Sequence, residues 1–126
     1  MKGPVTILIV DDSAVMRKIT GRNLRQAGVQ FEEALEANDG WEALALVKER
    51  KPDLVLCGIN IPGLDSLEFV RQLGATENGH GVPVIMISNE AQRHRAVEAL
   101  SCGARGYVTK PFTAQDLQEQ IANLLE

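Results

Sequence analysis

The sequence predicts a doubly wound α/β domain built on a five-stranded parallel sheet with five helices. Three observations carry that prediction. Five short β-like runs alternate strictly with five helix-like segments, the first run is almost continuously apolar, and no linker or low-complexity stretch interrupts the alternation. Strict βα alternation implies parallel strands joined by right-handed crossovers, with helices on both faces of the sheet. A strand covered on both faces reads as a nearly unbroken apolar run.

The elements follow in order. Val5 to Val10 is the first strand. A helix from about Ser13 to Ala27 places Met16, Ile19, Leu24 and Ala27 at helical spacing, and Gly28 is its stop signal. The run Phe31 to Ala37 carries Glu32, Glu33 and Glu36, a polarity that suits an edge strand. After the turn Asn38-Asp39-Gly40, a second helix sets Trp41, Leu44 and Val47 on one stripe. Leu54 to Gly58 is the third strand. The third helix starts near Asp65, read as an N-cap, with Glu68 completing a capping-box pattern. The polar stretch Gly74 to Gly81 is a loop. Val82 to Ser88 is the fourth strand, with Pro83 tolerable because it stands at the beginning. Ala91 to Ser101 gives the fourth helix and Gly106 to Thr109 the fifth strand. Thr113 caps the last helix, with Asp116 three residues on and Leu117, Ile121 and Leu124 facing inward.

Composition narrows the functional classes. The 126 residues are one domain's worth (1–126), enough to bury a core without disulfides or metals as staples. A net charge of −4 gives no reason to expect direct nucleic-acid binding, which favours a basic face. No apolar run approaches the roughly 18 residues of a spanning helix, so no membrane partner is expected. The opening MKGPVTILIVDD lacks a small-residue cleavage site after its apolar run and reads as a strand rather than an export signal. Cys57 and Cys102 match neither CxxC nor zinc spacing; reduced thiols in a cytoplasmic protein are expected.

In such a sheet the ligand crevice lies outside the carboxyl ends of the strands. Strand one ends in Asp11-Asp12, strand three in Gly58 with Asn60 beyond it, strand four in Ser88-Asn89, and strand five in Thr109-Lys110-Pro111. Two adjacent carboxylates repel by about 4 kcal/mol at ~4 Å if the effective dielectric is near 20. A hard divalent cation such as Mg²⁺ is their natural counter-charge. A helix cap would account for one of the pair but not both. Lys110 alone reads as a solvated lysine and Ser88 alone as a cap; it is the convergence at four strand ends that argues for a site.

The stretches VTILIVDDSAVMRKI, DLVLCGINIPGLDSLEF, PVIMISNE and GYVTKPF resemble the receiver domain of two-component response regulators over essentially the whole chain. The DDSAVMRK opening is most similar to stand-alone, chemotaxis-type receivers. The resemblance implies a flavodoxin-like sheet of order 2-1-3-4-5. It also implies roles: Asp11 and Asp12 as the acidic pair that helps bind Mg²⁺, and Asn60 as the position offering it a backbone carbonyl. Ser88 matches the hydroxyl that meets the phosphoryl group. Lys110 matches the lysine that pairs with acceptor and phosphoryl oxygens, its bond to Pro111 being often cis in this family. Tyr107 matches the aromatic switch.

One position departs from the pattern. The family's phospho-accepting aspartate stands two residues before Asn60, where this chain has Gly58. The spacings around it need no gap: 30 positions from Gly58 to Ser88 and 22 from Ser88 to Lys110. Ser66, where the loop often has glycine, and Asn89, where a small residue is usual, depart less. Receiver chemistry, as the resemblance implies it, is carboxylate attack on a phosphoryl group, with Mg²⁺ and lysine stabilising the developing charge. Glycine can be neither nucleophile nor metal ligand. Asp65 reads as a cap rather than a replacement nucleophile.

The expectation is therefore a phosphorelay receiver that is not an enzyme and is unable to form the usual aspartyl phosphate. It would act as a pseudo-receiver through its surface, or be an inactivated variant. Mg²⁺ binding should be weakened and Lys110 should lean onto the aspartate pair. The implied partner is a sensor histidine kinase or another signalling protein, meeting the face made by the fourth helix, fifth strand and last helix, where Arg93, Arg95 and Tyr107 are available. A monomer or weak dimer is expected. Two alternatives stay open: a receiver phosphorylated at another residue with Mg²⁺, and a small-ligand binder on a flavodoxin-like scaffold. The latter lacks a GxGxxG after strand one, and the aspartate pair would repel a phosphate there.

Overall fold

The structure, a computed structural model, describes residues 4–122 and 124. The elements are β1 (Ile7–Val10), α1 (Ala14–Gln26), β2 (Leu35–Ala37), α2 (Gly40–Glu49), β3 (Leu54–Gly58), α3 (Ser66–Ala75), β4 (Val84–Ser88), α4 (Arg93–Cys102), β5 (Gly106–Thr109) and α5 (Ala114–Ile121). The strands form one sheet in the order β2-β1-β3-β4-β5, and every pairing is parallel. This is the expected flavodoxin-like arrangement, with its switch of strand order between β1 and β3.

Side-chain alternation along the central strands feeds two cores. Leu8, Val10, Val55, Cys57, Val84 and Met86 face one way, against Leu44 and Val47 of α2, Phe69 and Leu73 of α3, and Ala96 and Ala99 of α4. Ile7, Ile9, Leu54, Leu56, Ile85 and Ile87 face the other, against Leu24 of α1 and Leu117 and Ile121 of α5. Burial of apolar area on both faces is the main stabilising term. It also explains why β1, β3 and β4 contain no charged residue. Among the described residues no helix is long and apolar enough to cross a membrane. Cys57 and Cys102 are both free thiols, and burial pushes the Cys57 thiol up, with the charges of Asp11 and Asp65 adding to the effect.

Several boundaries differ from the sequence reading. β2 is only Leu35–Ala37, not Phe31 to Ala37. Arg25 donates to the Phe31 and Glu32 carbonyls, both at 2.7 Å, and lies 4.0 Å over the Phe31 ring, so this segment is held by a side chain rather than a β ladder. β4 starts at Val84 rather than Val82, and α4 at Arg93, after a short 3₁₀ turn (Glu90–Gln92) capped by Asn89.

The stripes also shift. In α1 the buried residues are Thr20 and Leu24, while Ile19 is 39% exposed and Met16 half-buried, because the inward position one turn before Thr20 belongs to Arg17. Trp41 is 56% exposed; Ala43, Leu44 and Val47 fill the core side of α2, and the indole lies over Gly63 instead. Asp65 caps α3 as expected, accepting from the Leu67 and Glu68 N–H groups, but Glu68 does not close a box and pairs with Arg71 and Gln72. The full capping box is at α5, between Thr113 and Asp116.

Arg17 ties the sheet edge to α1. Its guanidinium donates to Glu36 at 2.6 Å, to the Asp11 carbonyl at 2.5 Å and to Asn38 at 3.0 Å. The Arg17 hydrogen bond, more than the second pairing with Lys18, holds the Glu36 carboxyl below the usual carboxylate range. A carboxylate so depressed contributes stability above its unfolded pKa and loses it as pH falls through the folded one. Arg17→Met should lower unfolding free energy by about 1–3 kcal/mol at pH 7. Urea titrations should show a smaller loss as pH falls and Glu36 becomes protonated in wild type as well.

Candidate functional site

The parallel sheet brings the ends of β1, β3, β4 and β5 to one rim, and a cleft of about 70 Å³ opens there. Its polar lining is Asp11, Asp12, Asn60, Ser88, Asn89 and Lys110, backed by Ile59, Ile61 and Ile87. The two carboxylates differ. Asp11 is 5% exposed, with Oδ1 accepting from the Ser13 N–H at 2.8 Å and Oδ2 lying 3.8 Å from Lys110 Nζ. Asp12 is exposed at the mouth. The helix cap is Ser13, whose hydroxyl accepts from the Met16 N–H, so neither aspartate is consumed in that task. Lys110 engages Asp11 but makes no ion pair with Asp12, which is half of the expected lean onto the pair.

Ser88 ends β4 at 2% exposure, and its Oγ has no hydrogen-bond partner. An orphaned buried hydroxyl in a cleft is unusual enough to require a reason. The neighbouring backbone is regular: Lys110 N–H donates to the Ser88 carbonyl at 2.7 Å, and the Lys110–Pro111 bond is cis. Tyr107 stands three residues earlier on β5, half-buried against the α2–α4 side of the core and outside the cleft lining.

Gly58 ends β3, paired in register with Ile87 and buried. Its φ is not in the left-handed region. A Cβ built on it would stand 3.6 Å from Ile61 Cγ2, 3.6 Å from the Val10 carbonyl and 3.8 Å from Asp11 Oδ2, all ordinary contacts. Neither backbone geometry nor crowding therefore requires glycine here, and a side chain would project toward Asp11.

Among the described residues no three His, Cys, Asp or Glu side chains converge as a metal-binding group. The oxygen donors lining the cleft include the carboxylates of Asp11 and Asp12, with Asn60 beside them. That set fits Mg²⁺, which keeps several waters and takes one or two carboxylates, better than any ion needing a full protein cage.

Two features were missed by sequence reasoning. A shallow apolar groove of about 340 Å³, formed by Met16, Ile19, Pro111 and Phe112, adjoins the cleft and shares Lys110. On the opposite side, Asp65 Oδ1 accepts from Arg95 at 2.6 Å, joining the cap of α3 to α4. Burial alone would raise the Asp65 carboxyl, but the Glu68 N–H and the Arg95 guanidinium together bring it below the usual range. No sequence signal points to a pair 30 positions apart.

The family model for the response regulator receiver domain matches residues 7–122. The chain is 40% identical over 120 residues to the chemotaxis protein CheY of Pseudomonas aeruginosa, covering 95% of each chain. Among solved structures, the chemotaxis response regulator CheY4 of Vibrio cholerae superposes with a TM-score of 0.81 at 28% identity, covering 97% of this chain and 99% of that one. The receiver domain of the sensor histidine kinase PA1611 from Pseudomonas aeruginosa, solved with a magnesium ion coordinated in its active-site cleft, gives 0.81 at 27% identity, covering 97% and 98%.

The room at position 58 has a measurable consequence. Gly58→Ala should stabilise the fold by about 0.5–1 kcal/mol in chemical denaturation, since glycine weakens a strand that alanine can occupy. Gly58→Asp should fall about 1–2 kcal/mol below Gly58→Ala at pH 7 in chelator, because it adds a third carboxylate beside Asp11. That gap should narrow in acid or on adding Mg²⁺.

Proposed function

The chain belongs to the response regulator receiver domain family of two-component signalling, and from that membership we propose that Gly58 occupies its phospho-acceptor position. The observation that carries this is the combination at one rim: Asp11, Asp12, Ser88 and Lys110 line one cleft, and Gly58 at the adjoining strand end would accept a Cβ in ordinary contact 3.8 Å from Asp11 Oδ2. In this reading the protein is a pseudo-receiver. It forms no aspartyl phosphate and signals through a conformation that phosphate does not set. Ser88 and Lys110 retain the places from which they would contact a phosphoryl group, and Tyr107 the place of the switch. It is not an enzyme, and the reduced state of its two thiols favours a cytoplasmic setting.

Incubation with acetyl phosphate and Mg²⁺ followed by intact mass measurement tests this. Wild type should take up nothing and Gly58→Asp should gain one phosphoryl group. Stoichiometric uptake by wild type would overturn the reading and point to another acceptor, with exposed Asp12 the first to examine.

Mg²⁺, which the receiver domain of PA1611 coordinates in its active-site cleft, would be held here by Asp11, Asp12 and the Asn60 carbonyl. When bound it would neutralise the aspartate pair. Lys110 competes with it, being 3.8 Å from Asp11 Oδ2. Calorimetric titration should give weaker Mg²⁺ binding than in an intact receiver, and Lys110→Met should tighten it about threefold to tenfold at low ionic strength. Unchanged affinity in that variant would remove Lys110 from the metal's surroundings.

The partner surface in this proposal is the face of α4, β5 and α5, where Val97 and Leu100 are exposed large apolar residues. A sensor histidine kinase or another signalling protein is the class of partner, met by a monomer or weak dimer. Arg93 and Arg95 are less available than their sequence suggests, being paired with Glu90 at 3.0 Å and Asp65 at 2.6 Å.

A further inference from the structure

We infer that Ser66 is a positioning residue for the cleft: its hydroxyl fixes the loop wall that presents Asn60 to a cation. This rests on the reading of the cleft as a cation site. Ser66 opens α3 at 1% exposure, and its Oγ donates to the Ile59 carbonyl at 2.7 Å. Of the three buried hydroxyl residues among those described, Thr20 and Ser88 have hydroxyls without a partner, and Ser66 alone makes a bond. Ile59, Asn60 and Ile61 form one wall of the cleft, whereas Ser66 is outside its lining. Ser66 therefore acts on the cleft through Ile59.

The ladder explains why this carbonyl needs a donor. Ile59 N–H donates to the Ile87 carbonyl at 2.9 Å, so the β3–β4 pairing runs one residue past Gly58. In a parallel ladder the Ile59 carbonyl would next accept from the N–H of residue 89. β4 has ended at Ser88, however, and Asn89 caps the 3₁₀ turn that follows. The Ser66 hydroxyl takes the carbonyl instead, from seven positions along the chain. The bond is buried and Ile59 is 4% exposed, so water is no ready substitute. Glycine, common at this position in the receiver pattern, could not supply it.

Both backbone groups of Ile59 are thereby held, the N–H by β4 and the carbonyl by the first residue of α3. A peptide unit is planar, so fixing the Ile59 carbonyl also fixes the Asn60 N–H and the direction in which the chain enters Asn60. Beyond it the loop is exposed at Asn60, Pro62 and Gly63, and Gly63 turns the chain at a φ of 75°. Without the hydroxyl, the Ile59 carbonyl is buried and unpaired and must turn toward another donor, taking the Asn60 peptide with it. The Asn60 carbonyl is then misplaced for a cation, although Asp11 and Asp12 stay where they are.

NMR and calorimetry on the whole chain test this. In Ser66→Ala without metal, the amide shifts of Asn60 and Ile61 should move. Ile121→Val, which trims the core on α5, should leave them in place. Calorimetric titration with Mg²⁺ should show binding to Ser66→Ala weakened about tenfold, as when a metal ligand loses the group that orients it. Ser66→Gly should match it, and Ile121→Val should bind Mg²⁺ as wild type does. Ser66→Ala and Ser66→Gly binding as tightly as wild type would overturn the inference and leave the cation site standing. Equal weakening in Ile121→Val would also overturn it, marking the loss as general destabilisation. Unmoved Asn60 and Ile61 shifts would overturn it whatever the metal does. No Mg²⁺ binding by wild type would overturn both the inference and the cation site.

Discussion

Everything in this protein follows from burying both faces of a parallel sheet. Because β1, β3 and β4 are covered on both sides, their residues must be apolar in either register, and no functional group can be carried along their length. Reactive side chains are confined to the strand ends. Parallel pairing then collects the carboxyl ends of four strands within one rim, so residues 11, 58, 88 and 110 become neighbours without any local motif linking them. The site is a by-product of topology, and the chemistry at each end is independent of the packing behind it. This explains how position 58 can be a glycine while Val55, Leu56 and Cys57 keep their places in the two cores.

That independence also governs how much the sequence reveals. Strand existence, strand order and the membership of the rim are legible because they depend on alternation and on run length, which are local. The helix stripes are less legible, because an apolar residue at helical spacing does not say which side of a helix the sheet lies on. Met16 and Ile19 satisfy the periodicity of α1, yet the inward position went to Arg17, whose three acceptors come from the residue after β1, from β2 and from the turn after β2. Phe31 to Ala34 has strand-like composition, yet Arg25 takes the carbonyls that a ladder would need. In both cases an arginine reaching across the fold overrides a local preference, and its partners are far away in sequence. At the site, residue identities were legible while the unequal burial of the aspartates and the orphaned Ser88 hydroxyl were not, since both are products of packing.

The charge inventory of the cleft bears on what it can bind. Three carboxylates and a lysine would make a strongly anionic pocket that a divalent cation can enter readily. With the two carboxylates present the pocket is milder, and Lys110 Nζ lies 3.8 Å from Asp11 Oδ2. In the proposed reading, glycine in place of an acceptor aspartate changes the charge on the cleft and the competition for it. Each of those changes acts on what can bind rather than on whether the chain folds.

Asp65 has a different kind of consequence. One carboxylate group closes the first turn of α3 with one oxygen and holds Arg95 of α4 with the other. The loop that begins just after Gly58 ends at this residue, so the loop's far end is anchored to a second helix by a 2.6 Å contact. The far end of the loop is therefore tied to two helices through one carboxylate, to α3 by the cap and to α4 by the ion pair. A contact between α3 and α4, the second of which belongs to the proposed partner surface, is thus made at residue 65, which itself lies outside the lining of the cleft.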